Sequence, residues 1–150
     1  MNVHVDLYDV KKYYDVELLA DIARETIQLA GIINKKDLDI TLSVAIVDEQ
    51  EIKRVNNKLR GKNAVTDVIS VGDYSDNVDI VTVDNSKIFL GEVILCYTFI
   101  EQFAKENNAQ IDKEFFTVYA HGILHLLGFE HDQKMFSIQD AVSEKFCYNK

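Results

Sequence analysis

Residues 112–128, DKEFFTVYAHGILHLLG, constrain the fold more than any other stretch of this chain. They read as one long apolar helix, closed by Gly128. A helix this apolar has to be covered by other elements, and the preceding sequence supplies strands to cover it. NVHVDLY (2–8) alternates apolar and polar residues, with Val3, Val5 and Leu7 on one face, the period of a strand. LDITLSVAIVD (38–48) is β-branched, and VTDVISV (65–71) and KIFLGEVILC (87–96) also read as strands. Apolar residues three and four apart predict a helix over 15–32, with Gly31 as its stop. Asp48 is a natural N-cap for a short helix over 49–60. Further helices are expected over 98–108 and 133–146. The polar stretch 72–86 is expected to be a loop, with room for a short strand at DIVTV. The chain has no proline, so Gly, Asn and Asp must make the turns. Strands come early and helices late, with at least one crossover helix. The expected fold is a single domain over residues 1–150, α+β or α/β, with a small mixed β-sheet and helices packed on it.

Several function classes are excluded. No apolar run approaches the ~20 residues that span a bilayer. The N-terminus lacks the basic and apolar regions of a signal peptide. The expected location is therefore the cytoplasm. There, Cys96 and Cys147, which share no metal-type spacing, are expected to be reduced thiols. A net charge of −9 argues against a non-specific nucleic-acid binder. One segment runs the other way. Residues 50–62, QEIKRVNNKLRGK, set Lys53, Arg54, Lys58, Arg60 and Lys62 against the single acid Glu51, a local excess of +4. Taken alone, such a cluster reads as a solvated helix face.

Three of the four histidines fall in HGILHLLGFEHDQ, at 121, 125 and 131. On a helix, His121 and His125 lie one turn apart on one face and can grip one metal ion. Gly128 permits a left-handed turn that brings His131 back to the same ion. A lone histidine on an apolar helix is usually a satisfied core residue, and one H-x-x-x-H pair is weak evidence. A third histidine beyond a glycine stop makes a metal site the stronger reading. Three neutral histidines leave a fourth position open, the layout of a catalytic zinc site. In zinc proteases a glutamate follows the first histidine and acts as general base; Gly122 stands there and transfers no proton. Glu130 and Asp132 flank His131, either to orient an imidazole or as loop surface.

HGILHLLGFEHD resembles the H-G-x-L-H-L-x-G-[FY]-D-H signature of the YbeY family, bacterial endoribonucleases of ribosomal RNA maturation. VDEQEIKRVNNKLRGKNAVTDVISV resembles that family's second segment, and LGEVILC its L-G-D-I-x-I-S strand. Together these cover roughly Val47 to Asp132. The resemblance implies one α+β domain and one zinc ion per chain, held by His121, His125 and His131. It implies single-strand-directed RNA cleavage in small-subunit rRNA processing and ribosome quality control, with ribosomal proteins as possible partners. It also implies that Arg60 is the family's functional arginine near the metal cleft, and that Thr66 and Asp67 open a sheet-edge strand. Glu130, Val65, Val71, Gly72, Leu59 and Cys96 depart from the family pattern, and none removes a ligand. A C-terminal tail used elsewhere in the family is expected to be absent here, since the sequence runs only a few residues past its last expected helix.

The expected chemistry follows. Zinc lowers the pKa of a bound water toward ~7. Arg60 would clamp phosphoryl oxygens in a bidentate fork, and the basic segment would guide the RNA backbone. Whether the nucleophile is the activated water or the RNA 2′-OH is left open. Two other functions fit the same residues: a zinc hydrolase of a different substrate, and a non-catalytic ribosome assembly factor with a structural zinc.

Overall fold

The structure, a computed structural model, describes residues 1–33, 37–72 and 87–148. The element order is β1 (Asn2–Asp9), α1 (Val16–Ala30), β2 (Asp39–Val47), α2 (Glu49–Arg60), β3 (Val68–Val71), β4 (Lys87–Cys96), α3 (Tyr97–Glu106), α4 (Ile111–Leu126) and α5 (Gln133–Tyr148). The strands form one four-stranded mixed sheet in the order β1-β2-β4-β3. β1 and β2 run parallel, as do β2 and β4, while β3 joins antiparallel to β4 at the edge. The α+β expectation holds, and α1 is the crossover that two adjacent parallel strands require.

The period of two places Ile40, Leu42, Val44 and Ile46 of β2 on the helix-covered face, all buried. α1 meets that face through Leu19, Ile22, Ala23 and Ile27. α4 meets it through Phe115, Phe116, Tyr119, Ala120 and Ile123. Tyr119 buries its ring completely and donates its hydroxyl to the Leu19 carbonyl at 2.9 Å, tying α4 to α1. α5 closes the layer with Met135, Ile138 and Val142, spaced three and four apart. α2 lies on the other face, where Ile52 packs with Ile69, Ile94 and Cys96.

The expected boundaries shift slightly. β3 starts at Val68 rather than Val65, because the Asp67 carboxylate takes the Val68 N–H at 2.7 Å and makes a local turn with Thr66. The β4–β2 register slips between Thr41 and Leu42, next to Gly91. The strand expected at DIVTV, and four acids of the loop that holds it, lie outside the described residues. Among the described residues no helix is long and apolar enough to cross a membrane. Cys96 and Cys147 are free cysteines.

Candidate metal centre

α4 presents its histidines through a close approach to the sheet. Gly122 is buried between His121 and the next turn. A Cβ there would meet Val93 Cγ1 at 2.9 Å, Val68 Cγ2 at 3.1 Å and Ser70 Oγ at 3.2 Å. The Ser70 hydroxyl donates to the Gly122 carbonyl at 2.9 Å, pinning β3 to α4 at this point. Position 122 therefore faces the sheet. The glutamate of the protease motif has no room here, so the missing base reflects packing as well as residue type.

α4 ends in a Schellman motif. The Phe129 N–H bonds to the Leu124 carbonyl at 3.0 Å and the Gly128 N–H to the His125 carbonyl at 3.0 Å. Gly128 adopts φ 90°, backbone that a side chain disfavours. The turn reverses the chain and carries His131 back over the helix end. All three Nε2 atoms converge: His121–His125 at 2.9 Å, His121–His131 at 3.2 Å and His125–His131 at 3.3 Å. His121 and His125 are half-buried and His131 is exposed.

The far sides of two rings are fixed. His125 Nδ1 lies 3.0 Å from the Phe129 carbonyl oxygen. A carbonyl only accepts, so Nδ1 carries the proton and Nε2 keeps its lone pair. His121 Nδ1 lies 2.9 Å from Oε1 of Gln139, on α5. With both Nδ1 atoms donating outward, protons cannot satisfy all three Nε2 contacts, whereas one cation can. Tetrahedral zinc with Zn–N bonds of ~2.0–2.1 Å keeps its nitrogens about 3.3 Å apart, close to the spacing seen. The donor set thus fits a metal ion. Burial holds His125 below the usual imidazole pKa, with the neighbouring His121 adding to the effect and Arg60 contributing. The neutral, metal-binding form is favoured.

Glu130 and Asp132 do not hold the imidazoles. Asp132 caps α5, its carboxylate accepting the Met135 N–H at 2.8 Å and its carbonyl the Phe136 N–H at 3.1 Å. Glu130 lines the cleft. Gln139 and the Phe129 carbonyl are the ring anchors, and residue-type reasoning missed both. One is a neutral amide in an amphipathic helix, the other a backbone group. For Gln139, the only signal in the sequence is its place beside Ile138, at the border of the α5 apolar stripe.

A cleft of about 760 Å³ is lined by the histidines, by β3 and by the end of α2, with Leu59, Arg60, Thr66 and Asp67 among its lining. Arg60 sits in the last turn of α2, and that helix end is closed by Gly61 at φ 67°, whose N–H bonds to the Asn57 carbonyl. The Arg60 side chain is not used as the cap. Arg54 is paired with Glu51, whereas Arg60 has no ion pair among the described residues. Thr66 and Asp67 lie just before the edge strand, which begins at Val68.

The profile of one protein family, Endoribonuclease YbeY, matches residues 5–146. The chain belongs to the YbeY family. Among similar YbeY proteins, that of Staphylococcus haemolyticus (strain JCSC1435) is 38% identical over 146 residues, covering 94% of this chain and 90% of the relative. That of Macrococcus caseolyticus (strain JCSC5402) is 33% identical over 150 residues, covering 95% and 94%. Both are named Endoribonuclease YbeY. Among solved structures, the solution structure of TM1509 from Thermotoga maritima superposes with a TM-score of 0.60 at 25% identity, covering 98% of this chain and 90% of that one. The YbeY match takes in the histidines, Arg60 and the strand between them.

Proposed function

We propose that this YbeY-family chain is a zinc-dependent endoribonuclease, a single domain that cuts single-stranded RNA in small-subunit ribosomal RNA maturation and ribosome quality control. The observation that carries the reading is the convergence of His121, His125 and His131 in a cleft that Arg60 also lines.

His121, His125 and His131 would hold one zinc through Nε2. Bound there, zinc supplies Lewis acidity and an activated water. The chain's own residues do the rest. Arg60, without an ion-pair partner among the described residues, offers two parallel N–H donors to the phosphoryl oxygens. Charge builds on those oxygens as the phosphodiester is cleaved, so a preset guanidinium favours the transition state over the ground state. Lys53, Lys58 and Lys62 stand exposed on the same segment and would draw the RNA backbone toward the cleft. Elsewhere the net charge of −9 disfavours RNA, so the substrate is gathered at one place. Ribosomal proteins are the expected partners and the cytoplasm the expected location.

The test joins metal analysis to an RNA cleavage assay. The purified protein should carry about one zinc per chain and cleave single-stranded RNA in preference to duplex. Preferred turnover of a small phosphoester or an amide would support the other hydrolase. Rescue of ribosome assembly by a histidine-ligand variant, in cells lacking the protein, would support the non-catalytic factor. Either result overturns the proposal.

A further inference from the structure

We infer that Gln139 is a positioning residue of the metal centre: its side-chain oxygen holds the His121 ring so that Nε2 faces the ion. The inference rests on the metal reading above. An imidazole on a helix can turn about its χ2 bond. A half-turn exchanges Nε2 for Cε1, which binds no metal. Whatever occupies the Nδ1 side therefore decides which atom faces the ion, and holding the ring also raises ligand basicity.

For His121 that group is Oε1 of Gln139, at 2.9 Å. The contact joins α4 to α5 through two residues 18 apart in sequence. It is set by packing: Met135, Ile138 and Val142 bury the apolar stripe of α5 against the core, and Gln139 lies beside Ile138 at the stripe's edge, half-buried. For His125 the equivalent group is the backbone carbonyl of Phe129. Gln139 is thus a ring anchor that a substitution can remove. Both anchors are neutral, so neither brings negative charge to the site.

The test uses the full-length protein, Gln139→Leu, which keeps approximate volume without an acceptor, and Gln139→Glu, which keeps the acceptor. Zinc affinity is measured by chelator competition, the coordination geometry by the visible spectrum of the cobalt(II)-substituted protein, and helix docking by the thermal midpoint of the metal-free protein. Gln139→Leu should bind zinc about 10–100-fold more weakly and weaken the tetrahedral cobalt bands, with the metal-free midpoint unchanged. Gln139→Glu should restore both affinity and bands. Wild-type affinity in Gln139→Leu would overturn the inference while leaving the metal site standing. A loss in both variants, accompanied by a lower metal-free midpoint, would assign Gln139 to helix docking and also overturn it. If the wild type takes up neither zinc nor cobalt stoichiometrically, the metal reading fails and takes this inference with it.

Discussion

His125 Nδ1 lies 3.0 Å from the carbonyl oxygen of Phe129, four residues on and already past the end of the helix that carries His125. The histidine and the turn that follows it are thus one unit: the turn places the acceptor that selects the tautomer of the ligand. Gly128 makes the turn possible at φ 90°. Gly128→Ala should cost about 1 kcal/mol or more of stability, since alanine resists this backbone. It should also displace the Phe129 carbonyl and His131 together. Chemical denaturation and zinc competition on the same variant check both, and zinc affinity should fall even under conditions where the fold is intact.

His125→Ala should abolish stoichiometric zinc binding, because two imidazoles remain where three converge. Zinc added to the wild type should raise its thermal midpoint, with a stabilisation of about 2.7 kcal/mol at a free concentration ~100 times the dissociation constant. In His125→Ala the midpoint should not respond. Stoichiometric zinc retained after two of the three histidines are replaced would refute the assignment.

Arg60 and Arg54 share a helix but not an environment, since Glu51 holds Arg54 and Arg60 lines the cleft. Arg60→Ala should keep the fold and zinc content while cutting RNA cleavage about 10²–10³-fold. Arg60→Lys should rescue poorly, because an ammonium lacks the planar fork. Arg54→Ala should weaken RNA binding modestly, by an amount that shrinks at higher salt. Cleavage rates for the three variants decide the matter: equal losses for Arg54→Ala and Arg60→Ala would reduce the segment to a diffuse charge patch.

Gly122→Ala tests the close approach of α4 to β3. Its methyl group would press on Val93 and Val68, with Val93 Cγ1 at 2.9 Å. Overpacking of this kind costs ~1–3 kcal/mol and pushes the helix outward at the level of His121. Stability should drop and zinc should bind more weakly. A variant with unaltered zinc affinity would show that the ligands adjust independently of the sheet.

Stability should fall at both ends of the pH range. The folded state holds His125 below its unfolded pKa, so the unfolded chain binds more protons as the pH drops below ~6.5. The contribution from His125 is present above that value and lost going down, and metal release accompanies it because protons compete for the same Nε2 atoms. Burial raises the pKa of both Tyr119 and Tyr14. These hydroxyls stay protonated in the fold after the unfolded chain would ionise, so stability should fall above pH ~10, by up to about 1.4 kcal/mol per pH unit for the fully buried Tyr119 and by less for the partly exposed Tyr14. Denaturation midpoints across pH, with and without zinc, measure both limbs. Tyr119→Phe should flatten the alkaline one.

Local order determined much of this molecule. The alternation in 2–8, Asp48 as a cap, Gly31 and Gly128 as stops, and the 121, 125, 131 spacing act over a few residues, so they can be read from neighbours in the chain. What only the tertiary structure decided are contacts between distant segments. The antiparallel edge placement of β3 and the three-residue shift of its start depend on pairing with β4 and on the Asp67 side chain. The fit of Gly122 depends on Val68, Ser70 and Val93 arriving from other elements. Arg60 and the histidines line one cleft because the end of α2 and the face of α4 both border β3, and Gln139 reaches His121 because the apolar stripe of α5 fixes that helix's rotation. Spacing along the chain sets which side chains share a helix face, but packing sets which faces meet. The three converging histidines belong to the first kind of information, and the groups that orient their rings and complete the cleft belong to the second.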